Sequence, residues 1–276
     1  MILNSNIDIN DRLNYALIIK KYLKETEKDD CLKINKIRNK NRIIYLNTNK
    51  TYKYSCKITK INYKSLLDLK IQKKLTKEIT KCPHFSILYK SKKCNNYLIN
   101  YNELANDDLK SYLKITNLTS KYLFNTICQI FLSLMFYYQI IKKLYNDSHD
   151  KNFLYYKIKK GGYFYYKIFN KDYYLENLGY LWTIIDFEYS SDITNDITYY
   201  YDYSKILYYF LSKQNKKINK FYDNFFNLSL MKGKKGVIKL IKDIIELLKE
   251  NKVLLTILPE NSIVINKNPY ILNINN

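Results

Sequence analysis

A long apolar segment at 121–144 constrains the fold of this chain more than any other feature. Its apolar residues fall on nearly every side of a helical projection, so we expect a helix that is buried on most of its faces. The most apolar part, 126–141, contains Gln129, Ser133 and Gln139. It is also shorter than the run of about 20 apolar residues that a membrane-spanning helix needs. The segment therefore predicts the central helix of a soluble domain rather than a membrane span.

The residues before this segment change between helical and extended patterns. Apolar residues at helical spacing predict helices at 10–28 and 63–79. The second ends at Cys82-Pro83, because proline disfavours helix in the residue before it. Runs rich in Tyr and Ile predict strands at 42–46, 52–58, 85–90 and 96–104, with polar residues 47–51 as the turn between the first two.

The residues after the segment change from strands to helices. Four runs rich in Tyr predict strands at 152–158, 162–169, 172–177 and 180–186, and Gly161-Gly162 predicts a hairpin turn between the first two. Helical spacing occurs at 197–213, 219–230 and 236–251, and also at 107–114 just before the segment. This order predicts an α+β fold of two lobes that divide near 101–106. We expect a helical extension at 1–33, a small strand-rich N-lobe at 34–102 and a mainly helical C-lobe at 103–276.

The formal net charge of +22 would ordinarily indicate a nucleic acid or an anionic membrane as partner. Nearly all of this charge is lysine, because arginine occurs only at Arg12, Arg38 and Arg42. Lysine is spread along a chain that is also rich in Asn, Ile and Tyr, a composition that AT-rich codons produce. We therefore interpret the charge mainly as a solvated surface and expect no nucleic-acid partner. A selected polyanion-binding face is the alternative.

The five cysteines, at positions 31, 56, 82, 94 and 128, show neither a CxxC pair nor the spacing of a metal site. An odd number of cysteines without a secretory signal fits free thiols in a reducing compartment. We therefore expect an intracellular protein, monomeric and not secreted.

The stretch "NDSHDKN", residues 146–152, follows the apolar segment and contains Asp147 and Asn152 five residues apart. Asp186 ends the apolar strand "WTIID". A carboxylate and an amide oxygen suit Mg²⁺, and a second carboxylate can accept the proton of an attacking hydroxyl. This arrangement is typical of phosphoryl transfer. The alternative is structural: a polar turn after the helix and an Asp that caps the next turn.

On these residues the sequence resembles the protein kinase superfamily, and more narrowly the kinase-like proteins of nucleocytoplasmic large DNA viruses. Those proteins have Asn-Asp where cellular kinases have Arg-Asp, and a His two residues after the Asp, as "NDSHDKN" has. Three other blocks stand in the required order: "CPHFSILY" (82–89), "YNELANDDLKSYL" (101–113) and "YYLENLGYLWTIIDFEYS" (173–190). The resemblance spans roughly 45–210. It implies a serine/threonine protein kinase that uses ATP and Mg²⁺, in the host cytoplasm or the virion.

The resemblance also implies a role for each matching residue. Asp147 would be the catalytic base, Asn152 a metal ligand and Asp186 the main Mg²⁺ ligand. Lys57 would be the catalytic lysine that holds the α- and β-phosphates. Asp68 would be its partner on the 63–79 helix, where the family usually has Glu.

Four further residues are implied in the nucleotide site or behind it. Glu103 and Leu104 would belong to the adenine-binding hinge, and Asp108 would lie near the ribose. Asp202, in "YYYDYSKIL", would brace the catalytic loop from behind.

Two departures from the family pattern concern the nucleotide. The first glycine of the chain is Gly161, so no glycine-rich loop lies between the first two strands. Asn47 and Asn49 would be the residues there that tolerate a left-handed backbone. Glu188 replaces the glycine of the metal-binding motif. Both departures favour the main alternative, a pseudokinase that acts as a binding or scaffold module.

Two further alternatives stay open at the level of sequence. "NDSHDKN" together with "IIDFEYS" also resembles choline and aminoglycoside phosphotransferases, which would make the substrate a small molecule. Lys53 and Lys60 lie close to Lys57 and fit the position of the catalytic lysine nearly as well. The interval from Asp186 to Asp202 is short, so we expect no regulation by phosphorylation of an activation loop.

Overall fold

The computed structural model describes residues 8–9, 11–25, 42–48, 52–192, 196–211, 213, 215–230 and 236–274. Within them the helices are α1 (Asp11–Glu25), α2 (Tyr63–Lys77), α3 (Leu109–Tyr112), α4 (Ser120–Ile141), α5 (Asp196–Leu211), α6 (Lys216–Leu230) and α7 (Val237–Glu250). The strands are β1 (Arg42–Thr48), β2 (Lys53–Lys60), β3 (Leu88–Cys94), β4 (Tyr97–Glu103), β5 (Asp107–Asp108), β6 (Phe153–Lys157), β7 (Tyr163–Ile168), β8 (Lys171–Glu176), β9 (Tyr180–Ile184) and β10 (Tyr270–Leu272). The fold is therefore α+β, as the sequence predicts.

The first part of the chain forms a four-stranded antiparallel sheet with the order β1-β2-β4-β3. Helix α2 follows β2 and begins at a capping box, in which Asn62 and Ser65 each accept a hydrogen bond from the other's backbone N–H. The predicted pairing of the first two strands is confirmed. Asn47 lies in β1 opposite Tyr54, so the turn begins later than we expect from the sequence, and Asn49 lies outside the described residues.

The second part contains two three-stranded sheets, with the orders β5-β6-β9 and β10-β7-β8. The chain passes from the first sheet to the β5-β6-β9 sheet through residues 104–106. Strand β10 comes from the C-terminal part of the chain and pairs in parallel with β7. The sequence pattern does not predict this strand, because three residues are too few to show alternation.

The predicted hairpin at Gly161-Gly162 is wrong. Strand β6 pairs with β9, and β7 pairs with β8, so the two glycines connect strands of different sheets. The tight turn lies instead between β7 and β8, at Phe169 and Asn170, whose φ angles are 48° and 63°. Two successive positive φ values give a turn whose twist matches an antiparallel pair. Gly162 is required for a different reason: a Cβ there would lie 2.8 Å from the carbonyl oxygen of Ile263.

Helix α4 is the centre of the core, as its apolar sequence predicts. Every residue from Leu123 to Tyr137 is buried. Among the described residues, α4 alone is long and apolar enough to cross a membrane by length and composition, and most of it is buried inside the protein. Gln129 shows why polar residues are tolerated there: its side chain donates to the carbonyl oxygen of Tyr180 and accepts from the N–H of Trp182.

The cysteines differ in state. Cys56, Cys82 and Cys128 are free thiols, whereas Cys94 is disulfide-bonded. The expectation of free thiols throughout is therefore wrong for Cys94, because an odd number of cysteines requires only one of them to be unpaired. Cys31 lies outside the described residues.

Candidate functional site

Lys57 lies between two carboxylates from different parts of the chain. Its Nζ is 2.7 Å from Oδ2 of Asp68 on α2 and 2.9 Å from Oδ1 of Asp186, which follows β9. The side chains of Asp68 and Asp186 are only 4% and 3% exposed. The part-buried ammonium group of Lys57 thus reduces the repulsion between two buried carboxylates, and the three groups keep a formal net charge of −1. Of the three lysines that the sequence leaves open in β2, Lys57 is the one that lies between these two carboxylates.

Asp68 also fixes the backbone after Asp186. Asp186 has a left-handed backbone with a φ of 66°, and the next N–H, that of Phe187, donates to Oδ1 of Asp68 at 2.9 Å. The ring of Phe187 stacks on Tyr137 of α4 with the centroids 5.5 Å apart. Asp68 therefore holds both Lys57 and the turn that presents Asp186.

Asp147 and Asn152 lie together in the 146–152 loop. The Asn152 amide donates to Oδ2 of Asp147 at 2.7 Å and to the backbone oxygen of Asp147 at 3.0 Å. Since both bonds use Nδ2, Oδ1 of Asn152 is left for another donor or a cation. The N–H of Ile185 donates to the backbone oxygen of Asn152 at 3.1 Å and so joins the loop to the residue before Asp186. Asn152 is buried and Asp147 half-buried.

Asp202 on α5 supports this loop from beneath. It accepts from the N–H of Asn146 at 3.1 Å and from the hydroxyl of Ser148 at 2.6 Å. Burial raises the pKa of Asp202, and these two hydrogen bonds oppose the shift because they favour the carboxylate. Asn146 has a left-handed backbone with a φ of 62°. The role that the sequence implies for Asp202 thus corresponds to direct contacts with the loop, and Ser148 is a contact that the sequence does not indicate.

Tyr145 lies at the centre of this group. Its hydroxyl donates to the carbonyl oxygen of Ile185 at 2.5 Å. Burial raises the pKa of Tyr145 well above its usual value, and the negative charges of Asp186, Asp147 and Asp202 raise it further. All three carboxylates are therefore near one buried phenol. In a chain with 31 tyrosines, no sequence signal distinguishes this one.

The side chain of Glu103 is occupied by Arg12 of α1. The Nε and Nη2 atoms of Arg12 donate to the two carboxylate oxygens at 2.7 and 2.6 Å, and the other guanidinium bonds go to the carbonyl oxygens of Pro83 and Phe85. Burial alone would lower the pKa of Arg12, but the Glu103 carboxylate raises it above its usual value. Arg12 is absent from the sequence-based candidates. Its rarity in a lysine-rich chain is the signal that indicates it, because arginine suits buried bidentate pairing better than lysine.

The remaining residues that the sequence singles out lie outside this group of contacts. Asp108 is the N-cap of α3, where its Oδ1 accepts from the N–H of Ser111 at 2.8 Å. Leu104 is half-buried in the segment between β4 and β5. Glu188 is half-buried in the turn after Phe187. Of the predicted site residues, Lys57, Asp68, Asp147, Asn152, Asp186 and Asp202 are thus joined by direct contacts or through the 146–152 loop.

A small cavity of about 60 Å³ is bounded by Lys57, Asp68 and Asp186 together with Asn102 and Leu154. Oδ1 of Asn102 is buried there without a hydrogen-bond partner. Among the described residues, no group of three or more His, Cys, Asp or Glu side chains is placed to hold a metal. The available donors are the Asp186 carboxylate and Asn152 Oδ1. Two hard oxygen donors fit Mg²⁺, which usually keeps several waters and takes its other ligands from phosphate.

Comparison with known proteins does not assign the chain to a family. No family model matches it, and no curated protein sequence matches it significantly. The side chains of the site are therefore the basis for the function proposed below.

Proposed function

We propose that the protein is a protein kinase that transfers the γ-phosphoryl group of Mg²⁺-ATP to a serine or threonine hydroxyl of another protein. The observation that carries this proposal is the contact of Lys57 with both Asp68 and Asp186, at 2.7 and 2.9 Å. The formal net charge of these three groups is −1, which suits a divalent cation that would bring phosphate next to Lys57. In this proposal the fold is the two-lobed kinase type, with the four-stranded sheet and α2 in the N-lobe.

The residues divide the work between binding and chemistry. Lys57 would contact the α- and β-phosphates. Asn152 and Asp186 would hold Mg²⁺, which neutralises phosphate charge when bound. Two leucines would provide apolar contacts to the base. Leu154 lies at the edge of the small cavity, and Leu104 lies in the segment between β4 and β5.

Asp147 would act on the acceptor. Its carboxylate is half-buried and is held by Asn152, so it can reach a hydroxyl that approaches from solvent. The hydroxyl oxygen attacks the γ-phosphorus, the bond to the β-phosphate oxygen breaks, and ADP leaves. The hydroxyl proton passes to Asp147. Asp202 holds the backbone of the loop through Asn146 and Ser148 and does not contact substrate.

A second candidate function is a pseudokinase that binds a partner without turnover. The small cavity next to Lys57 has a volume of about 60 Å³, whereas ligand pockets usually have 300 Å³ or more. ATP therefore requires space outside this cavity. The turn at 49–51, which would cover the phosphates, lies outside the described residues and contains no glycine.

The test compares the wild-type protein with Asp147→Asn and Asp150→Asn. Each is incubated with Mg²⁺ and γ-labelled ATP and with one acidic and one basic acceptor protein. We expect label on an acceptor with the wild type, and a loss of about 10²-fold or more in Asp147→Asn, because a general base contributes about that factor. Asp150→Asn makes the same charge change in the same loop and should retain most activity.

Nucleotide binding, measured beside phosphoryl transfer, separates the kinase from the pseudokinase. We expect a Mg²⁺-ATP-dependent rise in melting temperature for the wild type and for Asp147→Asn, and no rise for Asp186→Asn. A wild type that binds nucleotide and labels no protein supports the pseudokinase. A wild type that labels choline or an aminoglycoside but no protein is a small-molecule kinase. Absence of both binding and transfer contradicts the proposal.

A further inference from the structure

A cavity of about 550 Å³ lies where α4 and α6 begin and where the chain leaves α7. Its lining contains Lys121, Lys217, Lys220 and Lys252, and we call it the lysine cavity. It shares no lining residue with the small cavity beside Lys57. Its volume lies within the range of small-molecule sites.

The charge of the lysine cavity is not balanced. Against four lysines stand Glu176 and Glu250. Lys121 is paired with Glu176 at 2.6 Å. Within the described part of the chain, the other three lysines form no ion pair with a carboxylate. Like charges held around one concave space repel each other, and a bound anion relieves this repulsion.

Hydrogen bonds fix the helix starts that carry three of these exposed lysines. Asn215 caps α6 by accepting from the N–H groups of Lys217 and Ile218 at 3.1 and 3.3 Å. The Nδ2 of the same residue donates to the hydroxyl of Ser120, the first residue of α4, at 3.2 Å. The starts of α4 and α6 are thus joined, and the lysines of both helices face one space. The positive ends of the two helix dipoles add to the attraction for an anion.

The walls are not only charged. Phe124 on α4 and Val253 and Leu255 after α7 supply apolar surface between the lysines. A ligand with separated anionic groups on a compact carbon or phosphate framework satisfies both features.

We propose that the lysine cavity binds a small, multiply phosphorylated molecule. Phosphate groups fit because each carries more than one negative charge and several acceptor oxygens, which an ammonium group with three donors matches. This site is separate from the proposed nucleotide site and does not depend on the kinase proposal.

The test measures binding of inorganic tripolyphosphate by calorimetry, without Mg²⁺ and at fixed ionic strength. Three variants are compared with the wild type: Lys217→Gln/Lys220→Gln in the cavity, Lys70→Gln/Lys73→Gln on the exposed face of α2 as the matched control, and Glu176→Gln. We expect the cavity variant to weaken binding by about fivefold or more, because it removes two ion pairs with the ligand. The control should bind as the wild type does. Glu176→Gln should bind more tightly, since it removes a negative charge and releases Lys121.

Weaker binding in the cavity variant together with tighter binding in Glu176→Gln distinguishes a defined site from diffuse attraction to a basic protein. Equal weakening by the cavity and control variants means diffuse attraction and overturns the proposal. Unchanged binding in the cavity variant places the phosphate chain elsewhere, including the nucleotide site, and also overturns it. Weaker binding in Glu176→Gln contradicts the charge argument. Because none of these measurements uses transfer activity, a failure of the kinase proposal leaves them unaffected.

Discussion

Asp68 uses its two carboxylate oxygens for different partners. Oδ2 pairs with Lys57, and Oδ1 accepts from the N–H of Phe187. Glutamate, which the resemblance in sequence leads us to expect at this position, is longer by one methylene. Asp68 is therefore more than a shortened ion-pair partner, because it also fixes the turn at Asp186.

This double role gives a prediction for two substitutions. Asp68→Asn retains an oxygen for the Phe187 N–H and loses the charge, whereas Asp68→Ala loses both. We expect Asp68→Ala to lower the free energy of unfolding by about 3 kcal/mol or more, and Asp68→Asn by roughly half of that. Urea unfolding measures both. If the two variants are equally unstable, the hydrogen bond to Phe187 contributes little. In the proposed kinase reaction, both variants should transfer less phosphate than the wild type, because Lys57 loses its ion pair with Asp68.

His84 makes stability depend on pH. It is buried, and its ring nitrogens lie 2.8 Å from the carbonyl oxygen of Trp182 and 2.8 Å from the hydroxyl of Tyr166. Since a carbonyl only accepts, Nδ1 carries the proton and Nε2 accepts from Tyr166. Burial, together with the charge of Arg12, lowers the pKa of His84 to about 4, although the hydrogen bond to Trp182 opposes the shift.

The sign of the effect follows from this lowered pKa. Between the unfolded pKa of about 6.5 and the folded pKa of about 4, the unfolded chain binds more protons, so stability falls as the pH falls. We expect a loss of roughly 3 kcal/mol over this window. His84→Gln keeps a donor for Trp182 and an acceptor for Tyr166 and does not titrate. Urea unfolding from pH 6.5 to 4.5 should show a smaller slope in the variant. Equal slopes would contradict the assignment to His84.

At the scale of elements, helix α1 is attached through Arg12 to two parts of the chain. The guanidinium contacts the segment after α2, at Pro83 and Phe85, and the end of β4, at Glu103. It also lies over the ring of Tyr156 at 5.2 Å. A predicted N-terminal extension is therefore in direct contact with the predicted hinge.

We expect removal of one partner of this buried pair to be costly. Arg12→Met leaves the Glu103 carboxylate buried without its cation and should lower the free energy of unfolding by about 3–5 kcal/mol. Arg12→Met with Glu103→Leu removes both charges and should recover most of this loss. Denaturant unfolding of the single and double variants measures the coupling. Lys239 and Asp243, an exposed pair on α7, provide the control and should show a coupling below about 1 kcal/mol. Additive losses at Arg12 and Glu103 would contradict the proposed pairing.

Local patterns predict most of the elements, because helical spacing and Tyr-rich runs are properties of neighbouring residues. Helix α4 and the strands β1 and β2 follow from such patterns. Pairing is different, since it depends on residues far apart in the chain. The sequence assigns β6 to β7, whereas β6 pairs with β9 and β7 also pairs with β10. Neither partner is a neighbour in sequence, and β10 is too short to show a pattern.

The candidate site divides in the same way. Asp147 and Asn152 lie in one loop, so their spacing alone predicts that they are close, and they are hydrogen-bonded. The sequence alone does not separate Lys57 from Lys53 and Lys60. The contact between Lys57 and Asp68 depends on the register of β2 and on the position of α2. Arg12 is 91 residues from Glu103, and no local pattern joins them. Contacts between distant residues are set by packing, which a single sequence does not display.

At the scale of the whole molecule, charge is the dominant feature. A net charge of +22 gives a positive field around the whole protein, and this self-repulsion destabilises the compact state. The positive charges that lie away from solvent differ from those at the surface, because Lys57 and Arg12 are each paired with a carboxylate. The repulsion that lowers stability is therefore between charges at the surface, where added salt screens it.

This gives the last prediction. Raising KCl from about 0.05 to 0.5 M shortens the screening length to a few ångströms and should raise the melting temperature by several degrees. Replacing Lys70, Lys73 and Lys77, three exposed lysines of α2, by Gln should raise the melting temperature at low salt and make it depend less on KCl. The comparison is Lys57→Gln, which removes the positive charge between the Asp68 and Asp186 carboxylates. This variant should have a lower melting temperature than the wild type at every salt concentration. Thermal unfolding followed by circular dichroism measures all three proteins. If the triple variant is no more stable than the wild type at low salt, Lys70, Lys73 and Lys77 do not contribute to the repulsion. Local contacts of these lysines would then offset the effect of the net charge.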